Sequence, residues 1–141
     1  MADIVSPAVR SRMMAEIKAK NTKPEMIVRR GLHAMGLRFR LHDRKLPGKP
    51  DLVFPKYRVV AFVNGCFWHG HECAQFKWPT TREEFWRDKI VTTRARDIAA
   101  VTALAGLGWN VVVAWECELR ASKEGTEIAL ADLADRIRSP R

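Results

Sequence analysis

The sequence predicts an α/β fold in which helices sandwich a mixed central sheet. Two capping boxes, Thr22-Lys23-Pro24-Glu25 and Thr81-Arg82-Glu83-Glu84, each open a helical stretch that stops at glycine. Three apolar runs of strand length, residues 51–54, 59–63 and 109–115, lie between and after those helices. The resulting order is α-α-β-β-β-α-β-α.

Residues 6–20 read as a first helix, with Ser6 as cap and Pro7 in the first turn. Val9, Met13 and Ile17 form a narrow apolar stripe, and Arg10, Arg12, Lys18 and Lys20 make the other faces basic. Such a helix can lie on DNA or be a lone basic surface helix. The second helix runs from the Thr22 cap to Met35, with Ile27, Val28, Leu32 and Met35 inward and Gly36 as its stop. Capping alone is enough to account for Glu25.

Leu37, Phe39 and Leu41 alternate with Arg38, Arg40 and His42, as in a strand with one wet, basic face. A turn containing Pro47-Gly48 leads to the short strand 51–54. The run 59–63 is apolar on both faces and is expected to be central. Residues 64–80 form a loop. A long helix follows to about Ala105, with Phe85, Ile90, Ile98, Val101 and Leu104 facing inward. Trp109 and Trp115 bound a buried strand, and residues 127–137 close the chain as a helix.

A chain of 141 residues supports one core, so 1–141 is expected to be a single domain. With 47% hydrophobic residues it is no disordered chain. No apolar run approaches the ~20 residues that span a bilayer, and residues 1–14 lack the apolar core of a signal peptide. The expectation is a cytoplasmic protein without membrane contact. The net charge is +9, and residues 1–49 carry 12 Lys/Arg against 4 Asp/Glu, so the excess sits in the first third. That asymmetry suggests a phosphate-binding face, and nucleic acid as partner. Three cysteines, an odd number, argue against a disulfide framework and for metal ligation or burial.

The chemistry concentrates in residues 50–73, PDLVFPKYRVVAFVNGCFWHGHEC. Cys66, Cys73 and either His69 or His71 offer thiolate and imidazole ligands in one loop, and Cys117 can return as the fourth, a Cys3His set suited to structural zinc. Spacing does not separate the two histidines. Asp51, at a strand edge beside this loop, can bind Mg²⁺, and a histidine of near-neutral pKa can take a proton from an attacking water. His69 is that base if His71 is on zinc, and Asp97 on the long helix can orient the imidazole. Phe67 and Trp68 in the loop, with Trp86 on the helix, are large enough to wedge between base steps. Trp109 and Trp115 read as core.

The segments PGKPDLVFP, VAFVNGCFWHGHEC and GWNVVVAWEC together resemble the Vsr (very short patch repair) mismatch endonucleases of bacteria. The resemblance runs from about Arg10 to Arg120, and its GCFWHGH core is highly specific. It implies a fold related to type II restriction endonucleases, and nicking of one strand of double-stranded DNA beside a T:G mismatch left by deamination of 5-methylcytosine. Carried over by position, Asp51 and the Val63 backbone carbonyl would hold Mg²⁺. His69 would be the general base, supported by Glu25 and Asp97. Cys66, His71, Cys73 and Cys117 would hold zinc. Phe67, Trp68 and Trp86 would intercalate, Lys89 would reach the mismatched bases, and Arg10, Arg12 and Met14 would lie beside the DNA. Asn64 stands where well-known members carry an active-site histidine, and Thr93 where an asparagine is expected near the mismatch. The resemblance also suggests a monomer and a link to mismatch-repair proteins. A nuclease of broader or defence-linked specificity, or a catalytically silent zinc-containing DNA-binding protein, are the alternative readings.

Overall fold

The computed structural model describes residues 22–66, 69–71, 73, 77–120 and 122–139. The first helix with Arg10, Arg12 and Met14, and the loop aromatics Phe67 and Trp68, lie outside the described residues. The described elements are α1 (Lys23–Ala34), β1 (Arg40–Leu41), β2 (Leu52–Phe54), a 3₁₀ turn at Pro55–Tyr57, β3 (Val59–Asn64), α2 (Glu83–Gly106), β4 (Asn110–Trp115), α3 (Glu116–Leu119) and α4 (Lys123–Arg138).

The sheet is mixed, in the order β1-β2-β3-β4. β1 and β2 pair antiparallel, as do β2 and β3, while β3 and β4 run parallel from Val59↔Asn110 to Asn64↔Trp115. A parallel pair needs a long crossover, and α2 lies in it. β3 is central, in keeping with its two apolar faces. Because side chains alternate, Leu52, Phe54, Val59, Ala61, Val112 and Ala114 face one way, against Val28 and Leu32 of α1 and Leu130, Leu133 and Ile137 of α4. Val53 and Val60 face the other way, against Leu104 of α2. Helices therefore cover both faces of the sheet.

Local chemistry accounts for most element ends. Thr22 caps α1, its hydroxyl accepting from the Glu25 N–H at 3.4 Å, with Pro24 in the first turn. Gly36 follows the helix with φ +89°, a conformation that favours glycine. Glu25 does not complete the capping box: its carboxylate is buried elsewhere, as described below.

Four expectations are corrected. The second capping box is not formed. Arg82 caps α2 with φ 54° and no side-chain bond, its guanidinium instead lying 4.2 Å over the Phe85 ring. Of the five residues expected inward on α2, only Ile90 and Leu104 are buried; Phe85, Ile98 and Val101 are 40%, 69% and 40% exposed. A helix of 24 residues is about 36 Å long, whereas a strand of six spans about 20 Å, so the sheet cannot cover it. The strand expected over residues 37–42 shrinks to Arg40–Leu41, with Leu37 drawn into the core and His42 leaving the strand conformation at φ 47° while its N–H still donates to the Asp51 carbonyl. The last helix begins at Lys123, earlier than expected, because Ser122 caps it by accepting from the Gly125 N–H.

The final helix supplies much of the core. Leu133, 2% exposed, joins α4 to that face of the sheet, and Leu133→Ala is expected to cost about 2–5 kcal/mol, read from the urea midpoint of otherwise unaltered protein.

Candidate active site

The site grows from the ends of three strands. Asp51 immediately precedes β2, and its carboxylate accepts the Val63 N–H of β3 at 2.7 Å. Its backbone carbonyl accepts the His42 N–H at 3.0 Å, just beyond β1. Glu25, 1% exposed, approaches from α1. Both of its oxygens meet His42 Nε2, at 3.1 and 2.9 Å, and Arg29 lies 3.4 Å from one of them. Ligand atoms of Glu25, His42 and Asp51 all lie within 4.8 Å of one another.

Electrostatics make this a cation-seeking pocket. Burial, with a contribution from the neighbouring Glu25 carboxylate, raises Asp51 from 3.8 to about 7, against the opposing pull of the Val63 N–H and His42. Buried Glu25 and half-buried Asp51 lie a few ångströms apart, and their carboxylate oxygens are ligands of the kind a hard divalent ion takes.

The loop after β3 folds back on itself. The His69 N–H donates to the Gly65 carbonyl at 3.3 Å, and the His71 N–H to the Cys66 carbonyl at 2.9 Å. These turns send the two histidines to different partners. His69 Nδ1 lies 2.5 Å from Asp97 of α2. A carboxylate there makes Nδ1 the protonated nitrogen and leaves Nε2 as the basic one. His71 Nδ1 lies 3.7 Å from Cys117 Sγ, and His71, Cys66, Cys73 and Cys117 have their ligand atoms within 4.8 Å of one another. Tetrahedral zinc with one thiolate and one imidazole places those atoms ~3.6 Å apart, so this donor set fits zinc. Burial and the neighbouring thiols push Cys66 up to about 12, and burial raises Cys117 as well. Thiolates at this cluster therefore need a cation. The Cys117 N–H donates to Cys66 Sγ at 3.3 Å, tying the end of β4 to the loop.

Two residues that sequence reasoning missed hold this loop. Trp115 is not plain core: its ring stacks on His71 at 4.0 Å and 7°, and meets His69 edge-on at 6.1 Å. It separates and orients the two imidazoles. Arg94 of α2 donates to the carbonyls of His69, at 3.3 Å, and of Gly70. Gly70 has φ +60°, and a Cβ there would come within 2.6 Å of Arg94 and Ile90, so glycine leaves room for the guanidinium. Neither role has a local sequence signal, since both depend on the β3–α2–β4 crossover. Asn64, 8% exposed, ends β3 opposite Trp115.

The outer face of α2 carries the nucleic-acid candidates. Trp86, Lys89 and Thr93 follow helical spacing along one side, continuing to Asp97. Phe85 packs edge-on to Trp86 at 5.2 Å, and Lys89 Nζ lies 5.8 Å from the Phe85 ring. Phe85, Lys89, Thr93 and Arg96 line an open groove. The Thr93 hydroxyl donates to the Lys89 carbonyl at 2.9 Å.

The DNA mismatch endonuclease Vsr family profile matches residues 2–75. The DNA mismatch endonuclease Vsr of Escherichia coli (strain K12) is 44% identical over 132 residues, 94% of this chain and 85% of its own. This chain belongs to the Vsr family. The Type II nicking enzyme V.XorIIP of Xanthomonas oryzae pv. oryzae is 51% identical over 119 residues, 84% of this chain and 88% of its own. V.NmeAIP of Neisseria meningitidis, also a Type II nicking enzyme, is 44% identical over 120 residues, 85% and 86% of the two chains. The Vsr profile ends just after the Cys/His loop, and these longer alignments extend beyond it.

A raised Asp51 means the folded protein holds this proton more tightly than the unfolded chain. Its stabilising contribution is therefore full below about 3.8 and lost as pH rises through about 7. In protein free of hard divalent cations, Asp51→Asn is expected to melt increasingly above wild type between about pH 4 and 7, as followed by calorimetry.

Proposed function

We propose that this protein is a Mg²⁺-dependent endodeoxyribonuclease that nicks one strand of double-stranded DNA, 5′ of the T in a T:G mismatch left by deamination of 5-methylcytosine. The observation that carries the reading is the pairing of a buried carboxylate cluster at Asp51 with a carboxylate-oriented histidine, His69, on the loop that leaves the neighbouring strand. Membership of the Vsr family supports DNA nicking as the reaction.

Asp51 and the Val63 carbonyl would hold Mg²⁺, with Glu25 beside them. A strand residue turns its N–H and C=O to the same neighbour, and the Val63 N–H already points at Asp51. Once bound, the ion would stabilise charge on the attacking and leaving oxygens of the phosphodiester. His69 takes the proton of the attacking water at Nε2, while Asp97 holds Nδ1–H and stabilises the imidazolium. Asn64, buried at the end of β3, can donate and accept hydrogen bonds but cannot move a proton at neutral pH.

Cys66, His71, Cys73 and Cys117 hold structural zinc, which braces the loop carrying His69. Trp86, Lys89 and Thr93 contact the DNA, and Phe67, Trp68, Arg10, Arg12 and Met14, which lie outside the described residues, are assigned to DNA contact by the family resemblance alone. The whole chain, 1–141, acts as one monomeric domain of the restriction-endonuclease type, in the bacterial cytoplasm. Among the described residues no helix is long and apolar enough to cross a membrane. Thr93 and Asn64 favour one second reading, a nuclease of this family with broader or different DNA specificity.

The deciding assay compares a duplex carrying T:G with its fully paired control, in Mg²⁺ and in EDTA. A Mg²⁺-dependent nick confined to the mismatched T strand is expected; equal cleavage of both duplexes would select the second reading. Asp51→Ala is expected to abolish nicking while leaving duplex binding by gel shift largely unchanged. Cys117→Ser is expected to lose bound zinc by elemental analysis, and stability with it, since structural zinc contributes directly to folding; full stability in that variant, with no zinc in the wild type, would remove the zinc assignment.

A further inference from the structure

We propose that His42 is the positioning residue of the divalent-metal site, aiming the Glu25 carboxylate at the ion beside Asp51. The inference rests on the metal reading of Asp51 given above, and it assigns a role to a residue outside the carried-over set.

His42 contacts both carboxylate residues of the cluster. Its backbone N–H donates to the Asp51 carbonyl at 3.0 Å. Its ring Nε2 sits between both oxygens of Glu25 at 2.9 and 3.1 Å. The span from β1 to α1 is thus closed by one side chain. Glu25 is 1% exposed and cannot turn to solvent for another partner. Its own cap uses only its backbone N–H, leaving the carboxylate to be held by tertiary contacts. Arg29, at 3.4 Å from one oxygen, gives a weaker hold.

The backbone at His42 is in the left-handed region, φ 47°. Histidine enters that region more readily than most residues. What that conformation achieves here is a change of side: it takes the imidazole out of the alternation of β1 and turns it to Glu25. A nitrogen facing two carboxylate oxygens carries the proton, so Nε2–H donates to Glu25 and has no lone pair for a metal. This makes His42 a residue that acts through Glu25, in the way that carboxylate ligands of metals are commonly fixed by a hydrogen-bond donor.

The test measures Mn²⁺ binding to the zinc-loaded, full-length protein without DNA, by calorimetry and by the loss of the free-ion EPR signal. His42→Ala and His42→Leu, which lack the donor, are expected to weaken Mn²⁺ binding about ten- to hundredfold, and His42→Gln, which keeps an N–H donor of similar reach, to stay within about threefold of wild type. The leucine variant fills the ring's volume, so a folding failure of the alanine variant leaves the comparison intact. Wild-type affinity in a donor-less variant would overturn the proposal. Equal weakening in the glutamine variant would also overturn it, because the imidazole would then be a ligand itself. Asp51→Ala separates this inference from the reading beneath it. If that variant binds Mn²⁺ as wild type does, the metal site is misassigned; if it loses Mn²⁺ while the His42 variants keep it, only the role of His42 fails.

Discussion

The parallel pairing of β3 with β4 is the contact on which the rest of this molecule depends. Its register sets Asn64 opposite Trp115, so the two strands leave the sheet side by side. Cys66 follows one exit and Cys117 the other, and the Cys117 N–H closes the gap by donating to Cys66 Sγ. The same pairing demands a crossover long enough to return the chain, and α2 is that crossover. It brings Asp97 to His69 and Arg94 to the carbonyls of the loop. The Cys/His cluster and the His69–Asp97 pair are therefore two consequences of one register, at the carboxyl ends of parallel strands where α/β folds place their sites.

Burial does the complementary work at the other cluster. Asp51 and Glu25 are withdrawn from water against the edge of an apolar sheet, which raises Asp51 and disfavours carrying two charges there without a cation. The fold tolerates this because each carboxylate has a donor: the Val63 N–H for Asp51 and His42 for Glu25. Arg29 adds a positive charge 3.4 Å from one Glu25 oxygen. At the Cys/His cluster the same logic applies with softer atoms, since burial holds the thiols protonated until an ion displaces the protons.

The long helix leaves several apolar residues exposed. Its inner face buries Ile90 near the loop and Leu104 near the sheet, and Arg94 and Asp97 between them bond the loop. Lys89 stays exposed, and Phe85, Ile98 and Val101 are not covered by the described residues. Reading apolar residues on α2 as core assumed a sheet wide and long enough to receive them. This sheet has strands of at most six residues.

Local signals were sufficient for much of this protein. Thr22 with Pro24 marks the start of α1, residues 59–63 announce a central strand by being apolar on both faces, and the crowding of Cys66, His69, His71 and Cys73 marks the loop as a candidate metal site. Those are properties of neighbours in the chain, set by capping, periodicity and ligand chemistry. The tertiary structure alone decided the pairings across distance. It gave His69 to Asp97 and His71 to Cys117, turned Glu25 from a cap to a buried partner of His42, and made Trp115 the spacer between two imidazoles. Each of those contacts joins residues many positions apart, and no local preference of either partner encodes it. Only the strand register and the path of the crossover determine which side chains meet.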